Sequence, residues 1–299
     1  MKRGRPKKRK TNNSSLFPRL LLLVFLFVFM FSADKIVNQF RQAQETPKTF
    51  VKKVPPKIAE QLSASPLATH RVPILMYHYV EYVEDRSDTT RMSLNINPNI
   101  FEAQIKTLHD NNFTFMTASE LAEALDGKRK LPKKPVLITI DDGHWDVDTV
   151  ILPILRKYNA RATAYIPSGF VDNDSDFLTK KQLKDLVDSG LVEIGAHTVH
   201  HISLKGKLSP IVDYEVIQSK KDLEQDYAVR VTSFAYPDGA FDEKAMNAVE
   251  KAGFTSAVST IPGIQQGIQN KYFLFRLRPG YRTGQDLINY FNQTSFKNW

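Results

Sequence analysis

The stretch "LITIDDGHWD" occupies residues 137–146. An apolar, largely β-branched run, "PVLITI" at 135–140, delivers two adjacent carboxylates, Asp141 and Asp142, into a glycine turn. A continuous apolar run of this length, bounded by turn residues, is the pattern of a strand buried on both faces, as in a parallel sheet. Adjacent carboxylates repel one another, so a buried strand that ends in two of them calls for a partner of opposite charge.

Working outward, the same unit repeats. "VPILMY" (72–77), "FTFM" (113–116), "RATAYI" (161–166), "VEIGA" (192–196), "TSFAY" (232–236), "TSAVST" (255–260) and "FRLR" (275–278) also read as strands. Between them lie helical patterns with their own start and stop signals. Asn97 with Pro98 opens one; Thr117 and Glu120 form a capping box closed by Gly127; Thr179 opens another, and Ser209 with Pro210 a long one. "DVDTVILPILRKYN" (146–159), "DEKAMNAVEKAG" (242–253) and "TGQDLINYFNQ" (283–293) complete the helices, and Asp146 or Asp148 is the expected cap of the first of these. Eight strands alternating with seven helices predict βαβ units and a parallel sheet, closed or slightly irregular, in a barrel of seven to eight strands.

The chain has 299 residues, 42% hydrophobic, and no cysteine, which excludes disulfides and thiolate chemistry. Its net charge of +9 suggests a nucleic-acid partner until it is located. Residues 1–33 hold eight Lys/Arg and no acid, whereas from Val72 onward there are 26 basic and 29 acidic residues. The basic "RGRPKKRK" (3–10) runs into "LLLLVFLFVFMFSA" (20–33), the order of an export signal. We read 1–19 as a basic cytoplasmic tail and 20–37 as a signal anchor, with a cleaved signal peptide as the alternative. Residues 38–71 read as a stalk and 72–299 as the globular domain. The positive-inside rule then places that domain outside the cytoplasm, and a nucleic-acid partner is excluded.

On this map His78 follows the first strand, Asp141 and Asp142 the third, His197 and His201 of "GAHTVHH" the fifth, and "AYPDG" (235–239) the sixth. In β/α barrels those strand ends are where active sites assemble. Two imidazoles and one carboxylate suit Zn²⁺ with positions left open, and one aspartate of the pair then remains free as a general base.

"ITIDDG", "HTVHH" and "FAYPDG", in that order, resemble the three main motifs of the polysaccharide deacetylase family, the NodB-homology domain of carbohydrate esterase family 4. "PILMYHYV" (73–80) further resembles its circularly permuted branch, that of the intercellular-adhesin and poly-N-acetylglucosamine deacetylases. The resemblance spans roughly residues 72–278 and implies a distorted (β/α)₇ barrel. It implies Asp141 as general base, Asp142, His197 and His201 as metal ligands, and the Tyr236 backbone N–H as an oxyanion donor. It also implies His78 as the acid that protonates the leaving amine, with metal-bound water attacking the acetamido carbonyl. Arg276, in "YFLFRLR", resembles the arginine that holds the base in the permuted branch. The implied substrate is an N-acetylglucosamine polymer, either an exopolysaccharide of the poly-N-acetylglucosamine type or peptidoglycan. The competing expectation is a catalytically silent, carbohydrate-binding barrel.

This chain departs from the pattern at His144, where an aromatic residue or proline is usual, and at Asp238, where a tyrosine is common. His144 and His200 are read as structural and Asp238 as turn chemistry. Trp145 fits either core packing or sugar stacking, and the bland alternative for His78 is a satisfied core histidine.

Overall fold

The computed structural model describes residues 70–83 and 87–294. The expected tail, anchor and nearly all of the stalk therefore lie outside the described residues. Among those described, no helix is long and apolar enough to cross a membrane.

Eight parallel strands form the central sheet: β1 (Ile74–Tyr77), β2 (Thr114–Met116), β3 (Pro135–Ile140), β4 (Ala162–Ile166), β5 (Val192–Ala196), β6 (Ser233–Ala235), β7 (Ser256–Pro262) and β8 (Leu274–Arg276). They are the eight strands expected from the alternation. Every residue of β1 and β3 is buried, as a sheet covered on both faces requires.

The path runs β8-β7-β6-β5-β4-β3-β1. β3 pairs with β1 along one edge, from Ile74 against Leu137 to Tyr77 against Ile140. Its other edge is shared: β2 takes the first half, through Met116 against Leu137, and β4 the second, through Thr139 against Thr163. β2 is thus a flanking strand, and seven strands make the ring. The ring all but closes where the Met76 N–H donates to the Leu277 carbonyl (2.9 Å) and the Leu277 N–H to the Ile74 carbonyl (2.8 Å). The seven-strand count is the lower of the two expected.

Apolar side chains from six strands fill the ring: Ile74, Leu137, Tyr165, Ala235, Val258 and Leu274 form one buried cluster with Met116, Ala118 and Leu121. Each Ile, Leu, Val and Met member contributes about 1.5–3 kcal/mol by burial. A charged group, Arg276, stands at the end of β8 and is 1% exposed.

Of the expected helices, six lie between strands, α1 (Pro98–Asp110), α2 (Ala118–Leu125), α3 (Leu152–Lys157), α4 (Lys180–Asp188), α5 (Ser209–Tyr227) and α6 (Glu243–Lys251), and α7 (Gly284–Gln293) follows β8. The expected caps hold at α1, where the Asn97 side chain accepts from the Asn99 N–H, and at α2 and α4. At α5 the cap is Leu208 and Ser209 is already the first helical residue, so the helix starts one position earlier than expected.

Before α3 the chain makes a widened π turn, Val147–Ile151, in which the Leu152 N–H donates to the Val147 carbonyl. Pro153 explains it: lacking an N–H, it cannot continue the ordinary ladder through this turn. A short helix at Thr89–Leu94, with Asp88 at its cap, had no counterpart in the sequence pattern.

Candidate active site

Because the strands are parallel, their C-terminal ends lie together, and the loops there bring His78, Asp141, Asp142, His197 and His201 to one place. The two aspartates, adjacent in sequence, face different partners. Asp141 keeps an ordinary backbone, whereas Asp142 turns into the left-handed region with φ 75°. That reversal sends the two carboxylates apart, and the strain of a non-glycine residue there is of a kind that clusters at functional sites.

Asp141 is 2% exposed and meets Arg276 in a two-pronged ion pair, Nη1 to Oδ1 and Nη2 to Oδ2, both 2.7 Å. The remaining donors of the guanidinium reach the Ser259 carbonyl (2.8 Å) and Thr139 Oγ1 (3.2 Å), which fixes its plane inside the ring. Burial pushes the Asp141 carboxyl up, but Arg276, aided by His78 and His197, overrides it and holds the group below the usual carboxylate range.

His78 Nε2 stands 3.9 Å from Asp141 Oδ2, and its Nδ1 is buried without a hydrogen-bond partner. The bland alternative, a satisfied core histidine, therefore does not hold. Burial lowers the imidazole to about 4, against the opposing pull of Asp141 and Asp142, so it rests uncharged at neutral pH.

Asp142 Oδ1 lies 3.3 Å from His197 Nε2 and 3.1 Å from His201 Nε2, and the three ligand atoms lie within 4.8 Å of one another. This oxygen is buried, yet neither histidine is aligned to hydrogen-bond with it. His197 Nδ1 is 2.7 Å from the Ala235 carbonyl, which can only accept, so that nitrogen carries the proton and Nε2 presents a lone pair. A lone pair facing a carboxylate oxygen at 3.3 Å is repulsive unless a cation stands between them. The donor set is thus the one a divalent metal requires: one carboxylate oxygen and two imidazole nitrogens converging on a point.

What holds the two histidines is a residue the sequence reading passed over. Glu215 of α5 is buried, and its Oε2 accepts the backbone N–H groups of Val199 (2.9 Å) and His200 (3.0 Å), while Oε1 pairs with His200 Nδ1 (2.8 Å). The clamp pins a loop whose Thr198 (φ 65°) and His201 (φ 51°) are both left-handed. A signal was present, since an acid at 215 falls on the buried face of α5 with Val212, Val216, Ser219 and Leu223. His200, half of that clamp, is structural as expected.

The Tyr236 N–H donates to the Val258 carbonyl across a long 3.4 Å, and its hydroxyl donates to the Tyr272 carbonyl at 3.0 Å. Its ring packs in a buried aromatic group with Phe234 and Phe241. As an oxyanion donor this N–H first has to leave a weak sheet rung. Asp238 sits in the left-handed region (φ 58°), the turn chemistry expected of it, and is exposed.

Asp146 does not cap the following helix as expected. Its Oδ2 accepts the Val80 N–H, tying the aspartate loop to the segment after β1, while Oδ1 is buried without a partner. Burial raises this carboxyl to about 6, outweighing the Val80 hydrogen bond. A carboxyl raised on folding loses stability as pH climbs from the unfolded value towards the folded one, and is level above it. The difference between 3.8 and about 6 corresponds to roughly 3 kcal/mol. Asp146→Asn keeps an acceptor for Val80 without the charge. In denaturant titrations the variant is expected to match the parent near pH 4 and exceed it by about 1–3 kcal/mol at pH 7.5. Equal stability at both pH values would show that Asp146 is not buried as an acid.

Ring, ion pair and three-residue cluster together are those of a hydrolase barrel with a candidate metal centre. The family profile for polysaccharide deacetylases matches residues 128–257, a stretch that holds Asp141, Asp142, His197, His201 and Tyr236 but neither His78 nor Arg276. The Bacillus subtilis protein YxkH is 30% identical over 269 residues, covering 87% of this chain and 93% of YxkH. The poly-β-1,6-N-acetyl-D-glucosamine N-deacetylase of Staphylococcus aureus is 30% identical over 189 residues, covering 59% of this chain and 65% of that enzyme. The structure of the Streptococcus pyogenes deacetylase PplD in complex with acetate superimposes with a TM-score of 0.69 at 27% identity, over 76% of this chain and all of PplD. The chain belongs to the polysaccharide deacetylase family, the hydrolases of carbohydrate esterase family 4 that act on carbon–nitrogen bonds.

Proposed function

We propose that the protein removes acetyl groups from N-acetylglucosamine residues of a poly-N-acetylglucosamine-type polysaccharide outside the cytoplasm. The observation that carries the chemistry is the division of the two aspartates, one paired with arginine and the other with two histidines. Asp142, His197 and His201 would hold the metal, and Zn²⁺ suits two nitrogens and one oxygen. Once bound, a divalent metal supplies the Lewis acidity that makes a weak base sufficient.

Asp141 is such a base. Arg276 keeps it ionised and oriented, and the carboxylate retains lone pairs for the proton of an attacking water. As that water adds to the acetamido carbon, Asp141 takes its proton. His78, 3.9 Å away and uncharged at rest, is placed to receive a proton from Asp141 and pass it to the amine nitrogen as the C–N bond breaks. The Tyr236 N–H would serve the oxyanion by giving up its long rung. Acetate and a glucosamine amine leave.

The substrate reading rests on the likeness to the Staphylococcus aureus enzyme, whose named substrate is poly-β-1,6-N-acetyl-D-glucosamine. Peptidoglycan is the second candidate. The test is to incubate the protein and Zn²⁺ with each polymer in turn, scoring free amines and acetate. We expect release from poly-N-acetylglucosamine. Release from peptidoglycan alone would overturn the polymer assignment, and release from neither would restore the silent, carbohydrate-binding reading.

We further infer that residues 20–37 anchor the chain with the catalytic domain outside the cytoplasm, as the basic run before the apolar segment supports. A reporter fused after Trp299 that is active only outside the cytoplasm should report activity. Activity of a cytoplasm-only reporter would reverse the assignment.

A further inference from the structure

His144 was expected to be structural, and it is held as firmly as any residue in the site. It is 4% exposed, with its ring stacked on Tyr79 (centroids 3.9 Å apart, 24° between planes) and on Phe177 (5.1 Å, 20°). The Tyr79 ring is backed in turn by the Arg91 guanidinium at 4.8 Å. Below the ring, residues 143–145 are clasped to 176–178: the Leu178 N–H donates to the Gly143 carbonyl (2.9 Å) and the Trp145 N–H to the Asp176 carbonyl (3.2 Å).

That same Asp176 carbonyl lies 3.2 Å from His144 Nδ1. A carbonyl only accepts, so Nδ1 is the donor and its orientation is fixed. The other nitrogen, Nε2, is buried with no hydrogen-bond partner and stands 3.8 Å from Asp142 Oδ2. Packing alone gives no reason for an imidazole here, since a phenyl ring stacks equally well between Tyr79 and Phe177. A phenyl would lack both nitrogens, the Nδ1 that donates to the Asp176 carbonyl and the Nε2 that faces the carboxylate, and only the second bears on Asp142.

We propose that His144 is a positioning residue for Asp142: its Nε2 engages Oδ2, so that Oδ1 stays turned towards His197 and His201. A carboxylate that binds a metal through one oxygen can rotate about its own axis, and what its second oxygen meets decides whether the ligand is ready. With the proton on Nδ1, Nε2 presents a lone pair, so at 3.8 Å the two acceptors are joined through one shared water that donates a hydrogen bond to each. The inference rests on the metal reading of Asp142, His197 and His201. Partners of this kind are worth about 10–100-fold in metal affinity.

The test uses the full-length chain with His144→Phe, which keeps the stack and removes both nitrogens while the Asp176 carbonyl keeps the Trp145 N–H, and His144→Gln, which returns a polar group near the place of Nε2. Zn²⁺ affinity is measured by competition with a chromophoric chelator, the Co²⁺ absorption spectrum reports ligand geometry, and the melting temperature of the metal-free protein reports folding. We expect His144→Phe to bind Zn²⁺ about 10–100-fold more weakly with an altered Co²⁺ spectrum and little change in metal-free melting. His144→Gln should recover most of the affinity. The proposal is overturned if His144→Phe binds like the parent, or if Gln and Phe weaken binding alike. Absence of Zn²⁺ binding by the parent chain would overturn the metal reading itself, a separate outcome.

Discussion

Asp141→Asn is expected to leave metal content at the parent level while kcat falls by about 10²–10⁴, the usual worth of a positioned general base. The amide keeps the shape of the side chain and one acceptor for Arg276, but it cannot take the proton of the attacking water. Because the lost interaction belongs to the transition state, substrate affinity should change little, and added metal should not rescue turnover. Asp142→Asn should fail in the opposite manner. It replaces a charged ligand, whose carboxyl the surrounding His144, His197 and His201 hold well below the usual range despite burial, with a weak neutral one. Metal affinity should drop, and excess Zn²⁺ should restore part of the activity. Metal analysis by mass spectrometry beside kcat for both variants decides the matter. If both lose metal, or both keep activity, the two aspartates do not divide the work as proposed.

Arg276→Met should cost about 3–5 kcal/mol of stability at neutral pH, because it leaves the Asp141 charge buried and unpaired. The sign of the pH dependence is the sharper test. In the parent, Arg276 holds the Asp141 carboxyl below its unfolded value, so the pair's contribution is present above the unfolded carboxylate range and lost as pH falls through the folded one. In the variant burial is unopposed by the guanidinium, the carboxyl rises, and stability falls as pH climbs. The gap between parent and variant should therefore be widest near neutrality and close in acid. Adding Asp141→Asn to Arg276→Met removes the stranded charge and should recover stability relative to Arg276→Met alone. A single variant within about 1 kcal/mol of the parent at pH 7 would mean that the ion pair holds little.

All eight strands and the order in which they present His78, the aspartates and the histidines were legible in the chain. Apolar runs between turn residues report burial, and burial is a local property of composition. The two imidazoles and one carboxylate of the candidate metal site were legible too, because metal chemistry limits which side chains can serve; that Asp142 is the carboxylate was implied by the family resemblance. Less visible were features whose cause lies elsewhere in the fold. The π turn before α3 follows from a proline two residues beyond it, and Asp146 was expected at a helix cap but is claimed by the Val80 N–H.

The sequence by itself determined the class of fold, the two imidazoles of the candidate metal centre and the pair of carboxylates that must part company. Only the tertiary structure decided how they part. Arg276 lies 135 positions from Asp141, and the ring alone places its guanidinium against that carboxylate. Glu215 and His144 were plain in the sequence as an acid and an imidazole, yet what each one holds depends on distances across loops from different strands. Local pattern records which groups are buried; which buried charge meets which is settled only when the ring closes and the low-dielectric interior makes every unpaired group costly.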